Sequence, residues 1–139
     1  VVGTSAITTE ETLFTSSLAA GLLAADGMGI KITVSGSVAA TANAKTIRLR
    51  VDNNVISYNK VTTSPNNLKW KIEAFILRSG ATSCIATGDF TFSSVASDLD
   101  LTTPAITWAN AIDVSVTGHN GTAAVNDIVL GPVLIELIK

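Results

Sequence analysis

The sequence predicts an all-β fold: an antiparallel jelly-roll β-sandwich of about eight strands, with turns roughly every ten to fifteen residues. Three observations predict it. Apolar and polar residues alternate over long stretches, as in Ile30-Lys31-Ile32-Thr33-Val34-Ser35 and Ile112-Asp113-Val114-Ser115-Val116-Thr117. Turn-forming residues (Asp26-Gly27, Asp52-Asn53-Asn54, Ser79-Gly80, His119-Asn120-Gly121) punctuate these stretches. No segment sustains a helical period, and the lack of a short internal repeat argues against a propeller or β-helix.

Taken in order, residues 1–11 are polar and irregular and read as an N-terminal arm, ordered only where something holds it. Residues 12–139 form a single domain. Thr12 to Leu18 is the first strand. Ala19 to Ala25 favours helix by composition, but Gly21 and the Asp26-Gly27 turn leave too little length, so it is expected as a loop or a single turn that plugs one end of the barrel. Gly29 to Asp52 is the longest patterned stretch and is expected as a central hairpin. Ile30, Ile32, Val34, Val38, Ile47, Leu49 and Val51 point inward, and Lys31, Thr33, Arg48 and Arg50 outward.

Val55 to Val61 is a short strand, and Ser64 to Asn67 a loop. In the long strand Leu68 to Arg78, Trp70, Ile72, Ala74 and Ile76 share one face, and Phe75 and Leu77 make the other face apolar too. Thr82 to Ser93 is a strand with an expected bulge at Gly88. Ser94 to Pro104, with Asp98 and Asp100, is an acidic loop. Ala105 to Gly118 is a strand, and Asp127 to Ile138 is the last one. Under strict alternation Val129, Val133, Ile135 and Leu137 lie on one face of it and Ile128, Leu130, Leu134 and Ile138 on the other. A strand apolar on both faces is buried on both, and Pro132 marks a bulge or an edge.

Composition narrows the function. Charged residues are 14% of the chain, against about a quarter in an ordinary globular protein, and the mean hydropathy is +0.44. Such a surface is weakly protected against association, which favours oligomerisation or assembly. The expected oligomer interface is Phe75, Leu77, Ile128, Leu130, Leu134 and Ile138. The net charge of −2 supplies no basic field for nucleic acid. No segment is apolar and long enough for a membrane helix, and the first residues lack the pattern of a secretion leader.

Catalytic signals are weak. His119 is the one histidine, and no second histidine or set of cysteines completes a zinc site. No nucleophile elbow is present. Asp98 and Asp100 are two of the oxygens a calcium ion would want, too few to define a site. Cys84 sits in an apolar run and reads as a buried, inert thiol. Asn120-Gly121-Thr122 fits the glycosylation sequon but reads as a tight turn. No catalytic, metal or cofactor residue is expected, and no cofactor. Tyr58 and Trp108 are the candidates for a ligand-stacking loop, since Trp70 shares its face with core residues.

The stretch TLFTSSLAAGLLAADGMGIKITVSGSVAATANAKTIRLRV resembles a module of tailed-bacteriophage virion proteins, in which a TLxxxxL strand precedes an AAxANxKTIRLRV-like segment. LKWKIEAFILRSGA and AIDVSVTGHNGTAAVNDIVLGPVLIELI resemble its later strands, including the turn into the last one, TGHNGTAAVNDIVL in this chain. The resemblance spans Thr12 to Ile138 and names no catalytic residue. It implies a jelly roll, commonly trimeric, with a structural or adhesive role in the virion. The expectation is therefore a non-enzymatic capsid decoration or cement subunit. It would be a homotrimer in contact with the major capsid protein or other virion proteins, its N-terminal arm gripping the shell. The alternative is a receptor-binding fibre tip or carbohydrate-binding module that meets a host-surface glycan through Tyr58, Trp108 and the loops at Asn53-Asn54, Ser64 to Asn67 and Asp98 to Asp100.

Overall fold

The structure, a computed structural model, describes residues 2–61, 68–92 and 95–139. The loop expected from Ser64 to Asn67 lies outside the described residues. Ten strands are described, and no helix is found among the described residues: β1 (Val2–Gly3), β2 (Glu11–Leu18), β3 (Gly29–Val38), β4 (Lys45–Val51), β5 (Asn54–Val61), β6 (Lys69–Gly80), β7 (Ser83–Phe92), β8 (Val95–Thr102), β9 (Ile112–Asn120) and β10 (Ile128–Ile138). They form two antiparallel sheets of a β-sandwich, one of six strands in the order β1-β10-β3-β6-β7-β8 and one of four in the order β2-β9-β4-β5.

The expected central hairpin is not a hairpin. β3 pairs with β10 and β6 in one sheet, and β4 pairs with β5 and β9 in the other. Ile30, Ile32 and Val34 on β3 and Ile47, Leu49 and Val51 on β4 are fully buried in one shared core. An alternating strand buries one face whether its sequence neighbour lies beside it or across the core, so periodicity does not separate the two arrangements. A polar knot decides for the crossover. Lys45, at the start of β4, and Asp127, just before β10, are both buried, with Nζ and Oδ2 3.9 Å apart. Lys45 Nζ donates to Thr41 Oγ1 (2.8 Å) and to the carbonyls of Thr41 (3.2 Å) and Asn43 (2.9 Å). Asp127 accepts from Thr41 Oγ1 and Asn43 Nδ2, both at 2.9 Å, and its carbonyl accepts from Ala39 N. The segment 39–44 is thus tied to both sheets as it passes between them.

The last strand is bulged at Gly131-Pro132. Leu130 pairs with Gly36 and Val133 with Val34, so two residues of β10 oppose one of β3. The extra residue shifts the phase. Ile128 and Leu130 point into the core before the bulge, and Val133 and Ile135 pack against the core after it. Strict alternation therefore misplaces Ile128 and Leu130, which are core residues and not surface ones.

Other expectations change in the same way. The acidic loop is largely strand β8, paired with β7. Gly88 lies in regular register with Ala74 and Asp100 and makes no bulge. It is small because the sheets approach there: a Cβ would stand 2.5 Å from Ser57 Cβ. The strand expected from Ala105 begins only at Ile112. The residues before it form a loop whose Ile106 and Trp108 are buried, with Trp108 Nε1 donating to the Ser83 carbonyl at 3.1 Å. Leu23, in the loop after β2, is buried as expected of a plug.

The N-terminal arm is held by its own domain. β1 pairs with β10, and Thr4 N donates to the Ile128 carbonyl at 2.9 Å. Glu10 bridges Arg48 (3.2 Å) and Arg50 (3.0 Å) of β4 and accepts from Thr117 Oγ1 of β9. The segment crosses from one sheet to the other and is held by its own domain, which is what orders it.

Candidate functional site

The outer surfaces of the two sheets differ in chemistry. The four-stranded sheet presents Arg48, Arg50, Asp113 and His119, with His119 Nε2 3.1 Å from the Thr8 carbonyl. The six-stranded sheet presents Phe75 and Leu77 from β6, Ile85 from β7, Leu99 and Leu101 from β8, and Leu134 from β10, all between 40% and 71% exposed.

Register arranges these side chains in rows, because residues paired across neighbouring strands point to the same face. One row runs Leu134-Thr33-Glu73-Asp89-Leu99. The next runs Glu136-Lys31-Phe75-Thr87-Leu101, and a third Ile138-Gly29-Leu77-Ile85. Lys31 Nζ lies over the Phe75 ring, 5.6 Å from its centroid, and Glu73 pairs with Lys71 (2.9 Å) and Lys31 (3.9 Å). Lys31, Lys71 and Glu73 thus compensate one another within the face. Beside it, at the β10 bulge, lies a groove of about 360 Å³ lined by Ser35, Gly36, Lys69, Trp70 and Pro132.

β8 runs against the usual pattern. Its leucines occupy outward positions, opposite Thr87 and Asp89, while Asp98 and Asp100 occupy the register positions opposite Phe90 and Gly88, on the core side. An edge strand with leucines turned to solvent makes sense where the outer face is the one to be covered.

Of the six residues expected at an interface, Phe75, Leu77 and Leu134 share this face, and Ile138 lies half-buried at its margin. Ile128 and Leu130 belong to the core, for the phase reason given above. Trp108 is buried, so it offers no stacking surface; the residue lies in a core-plugging loop and not on an exposed strand. Tyr58 lies on β5 opposite Arg48, and its side chain lies outside the described part of the structure. Trp108 therefore takes no part in the expected ligand platform.

Three members of the face escaped sequence reasoning. Ile85 is set opposite in phase to Cys84 and Ala86, a signal present in the strand pattern. Leu99 and Leu101 alternate with Asp98 and Asp100 at a period of two, but the acids suggested a loop. The buried ion pair also went unnoticed, since a lone lysine among small polar residues carries no mark of burial.

No group of three His, Cys, Asp or Glu residues that could hold a metal occurs among the described residues. Cys84 is buried, which pushes its thiol up to about 11. Asn120 is buried and holds the Ala124 carbonyl at 2.9 Å, so it is a strut at the end of β9 and not an exposed turn residue. What the face can do is exclude water against another surface. No protein-family model, no curated protein and no solved structure matches this chain.

Proposed function

We propose that the chain is a bacteriophage virion structural protein, a capsid decoration or cement subunit that works by protein–protein packing and not by catalysis. The observation that carries the reading is the set of exposed large apolar residues that the outer face of the six-stranded sheet carries from four of its strands, on a chain otherwise poor in charge. The motif resemblance supplies the virion setting, and with it the homotrimer and the contacts to major capsid or other virion proteins.

The strand order supports a jelly roll. The antiparallel pairs β1·β10, β2·β9, β3·β6 and β4·β5 nest as one long double ribbon. Rolling that ribbon brings β10 beside β3 and β9 beside β4. β7 and β8 then extend one sheet beyond the usual eight strands and carry half of the apolar face.

The test is immunogold electron microscopy on purified virions of a phage that encodes the chain, with antibody raised against the purified domain. Capsid labelling is the expected result. Labelling confined to fibre tips would replace decoration by adhesion, and unlabelled particles would overturn the virion reading altogether.

A further inference from the structure

We infer that the second half of β10, Val133 to Ile138, is a docking edge that takes an added β-strand from a partner protein. The strand it fits is an extended segment running antiparallel to β10, apolar at alternate residues, with a lysine or arginine opposite Glu136. The inference goes beyond the packing of the outer face and does not depend on it.

The edge is open because β1 is short. β1 lies beside β10 only at Leu130 and Val129, paired with Val2 and Gly3. From Val133 onward β10 pairs with β3 alone among the described residues. In an antiparallel ladder every second residue turns its N–H and C=O away from the neighbour it pairs with least closely. This half of β10 therefore offers a row of backbone donors and acceptors to an incoming strand. Edges are commonly blunted by lysine, proline or a bulge. Here Pro132 and the bulge precede the stretch, and Val133-Leu134-Ile135-Glu136-Leu137-Ile138 holds none of the three.

Burial shows the same gap on the core side. Ile30 and Ile32 of β3, with a strand on either side, are fully buried. Leu137 and Ile135 are their cross-strand partners and point to the same face. Yet Ile135 is only half-buried and Leu137 is 40% exposed. One further strand would cover them.

The chemistry of that strand is legible in β3, which meets the same β10 residues from the closed side. β3 sets Val34, Ile32 and Ile30 opposite Val133, Ile135 and Leu137, and Lys31 opposite Glu136. Lys31 is engaged by Glu73 (3.9 Å) and the Phe75 ring, and Glu136 is exposed and makes no ion pair among the described residues. A cation on the added strand would satisfy it. A second copy of β10 does not supply one: two such edges in antiparallel register set Glu136 opposite Glu136, Leu134 or Ile138. The direction follows β1, whose antiparallel line along β10 the added strand continues.

The probe is a fluorescein-labelled synthetic peptide with the sequence of Gly29 to Ser35, GIKITVS, titrated with the purified protein and followed by fluorescence anisotropy. The expected result is saturable binding, with amide hydrogen exchange slowed in residues 133–138. No saturable binding below about 1 mM would overturn the docking edge. The same peptide with every internal amide N-methylated keeps its side chains and loses its backbone donors, and it is expected not to bind. Equal binding by it would overturn strand addition. Glu136→Lys, with an unchanged circular-dichroism spectrum, is expected to weaken the lysine peptide about five-fold and to prefer the peptide with glutamate in its place. An unchanged preference would overturn the assigned register.

Discussion

Lys45 and Asp127 form a buried ion pair whose charges are out of water but amply hydrogen-bonded. Removing one partner strands the other. Asp127→Ala is therefore expected to cost about 3–5 kcal/mol in urea unfolding, whereas replacing both by Lys45→Met and Asp127→Leu costs clearly less than the two single changes summed. Glu10 gives a pH prediction. Burial pushes its carboxyl up, but the hydrogen bonds from Thr117 and Arg50 and the nearby charges of Arg48 and Arg50 outweigh this and hold it below its ordinary value. A depressed folded-state value means that the stabilisation is present above the ordinary glutamate range and is lost as pH falls through the folded value. Unfolding of the wild type at falling pH should show that loss, and Glu10→Gln should lack it. Cys84, buried with its thiol pushed up to about 11, should not react with Ellman's reagent at pH 8 until the chain unfolds.

Elements are decided by phase. One extra residue in β10 separates two sets of apolar side chains that share a parity in the sequence, so Ile128 and Leu130 hold the core together while Leu134 faces out. Leu130→Ala is expected to destabilise by about 2–5 kcal/mol, and Leu134→Ala to stay within about 0.5 kcal/mol. Urea unfolding at a concentration where the protein is monomeric separates them. A comparable loss in both would mean that the bulge does not set the faces. Close approach decides other positions. Gly36 lies where a Cβ would stand 2.2 Å from the Val129 carbonyl oxygen and 2.4 Å from the Trp70 ring. Backbone cannot yield as a flexible side chain does, so Gly36→Ala is expected to cost at least about 1–3 kcal/mol by overpacking.

At the scale of the molecule, two sheets share one core but have unlike outer surfaces. The four-stranded sheet carries the charged clamp on the N-terminal segment, and the six-stranded sheet carries the apolar rows. The pairing of β1 with β10 and β2 with β9 joins the two ends of the chain. Such non-local pairing delays folding, because the loops must close before their contacts form. Refolding from urea should accordingly take milliseconds to seconds and not microseconds, as stopped-flow fluorescence of Trp70 and Trp108 would record.

The sequence by itself determined the class and most of the interior: strand alternation placed Ile30, Ile32, Val34, Ile47, Leu49, Trp70 and Ile72 in a core, where the structure has them. It also marked Phe75, Leu77 and Leu134 as apolar residues left over on outward positions. These are local properties, since a period of two records only that one face of a strand is dry. Which strand lies beside which is not local. Only the tertiary structure decided that β3 and β4 part into different sheets, because the buried tie of Lys45, Thr41 and Asp127 joins residues more than eighty positions apart. Only it decided that Ile128 and Leu130 turn inward, because the bulge is defined against Gly36 and Val34 of a distant strand. The apolar face exists for the same reason. Its members come from β6, β7, β8 and β10, and nothing short of their common register puts them on one surface.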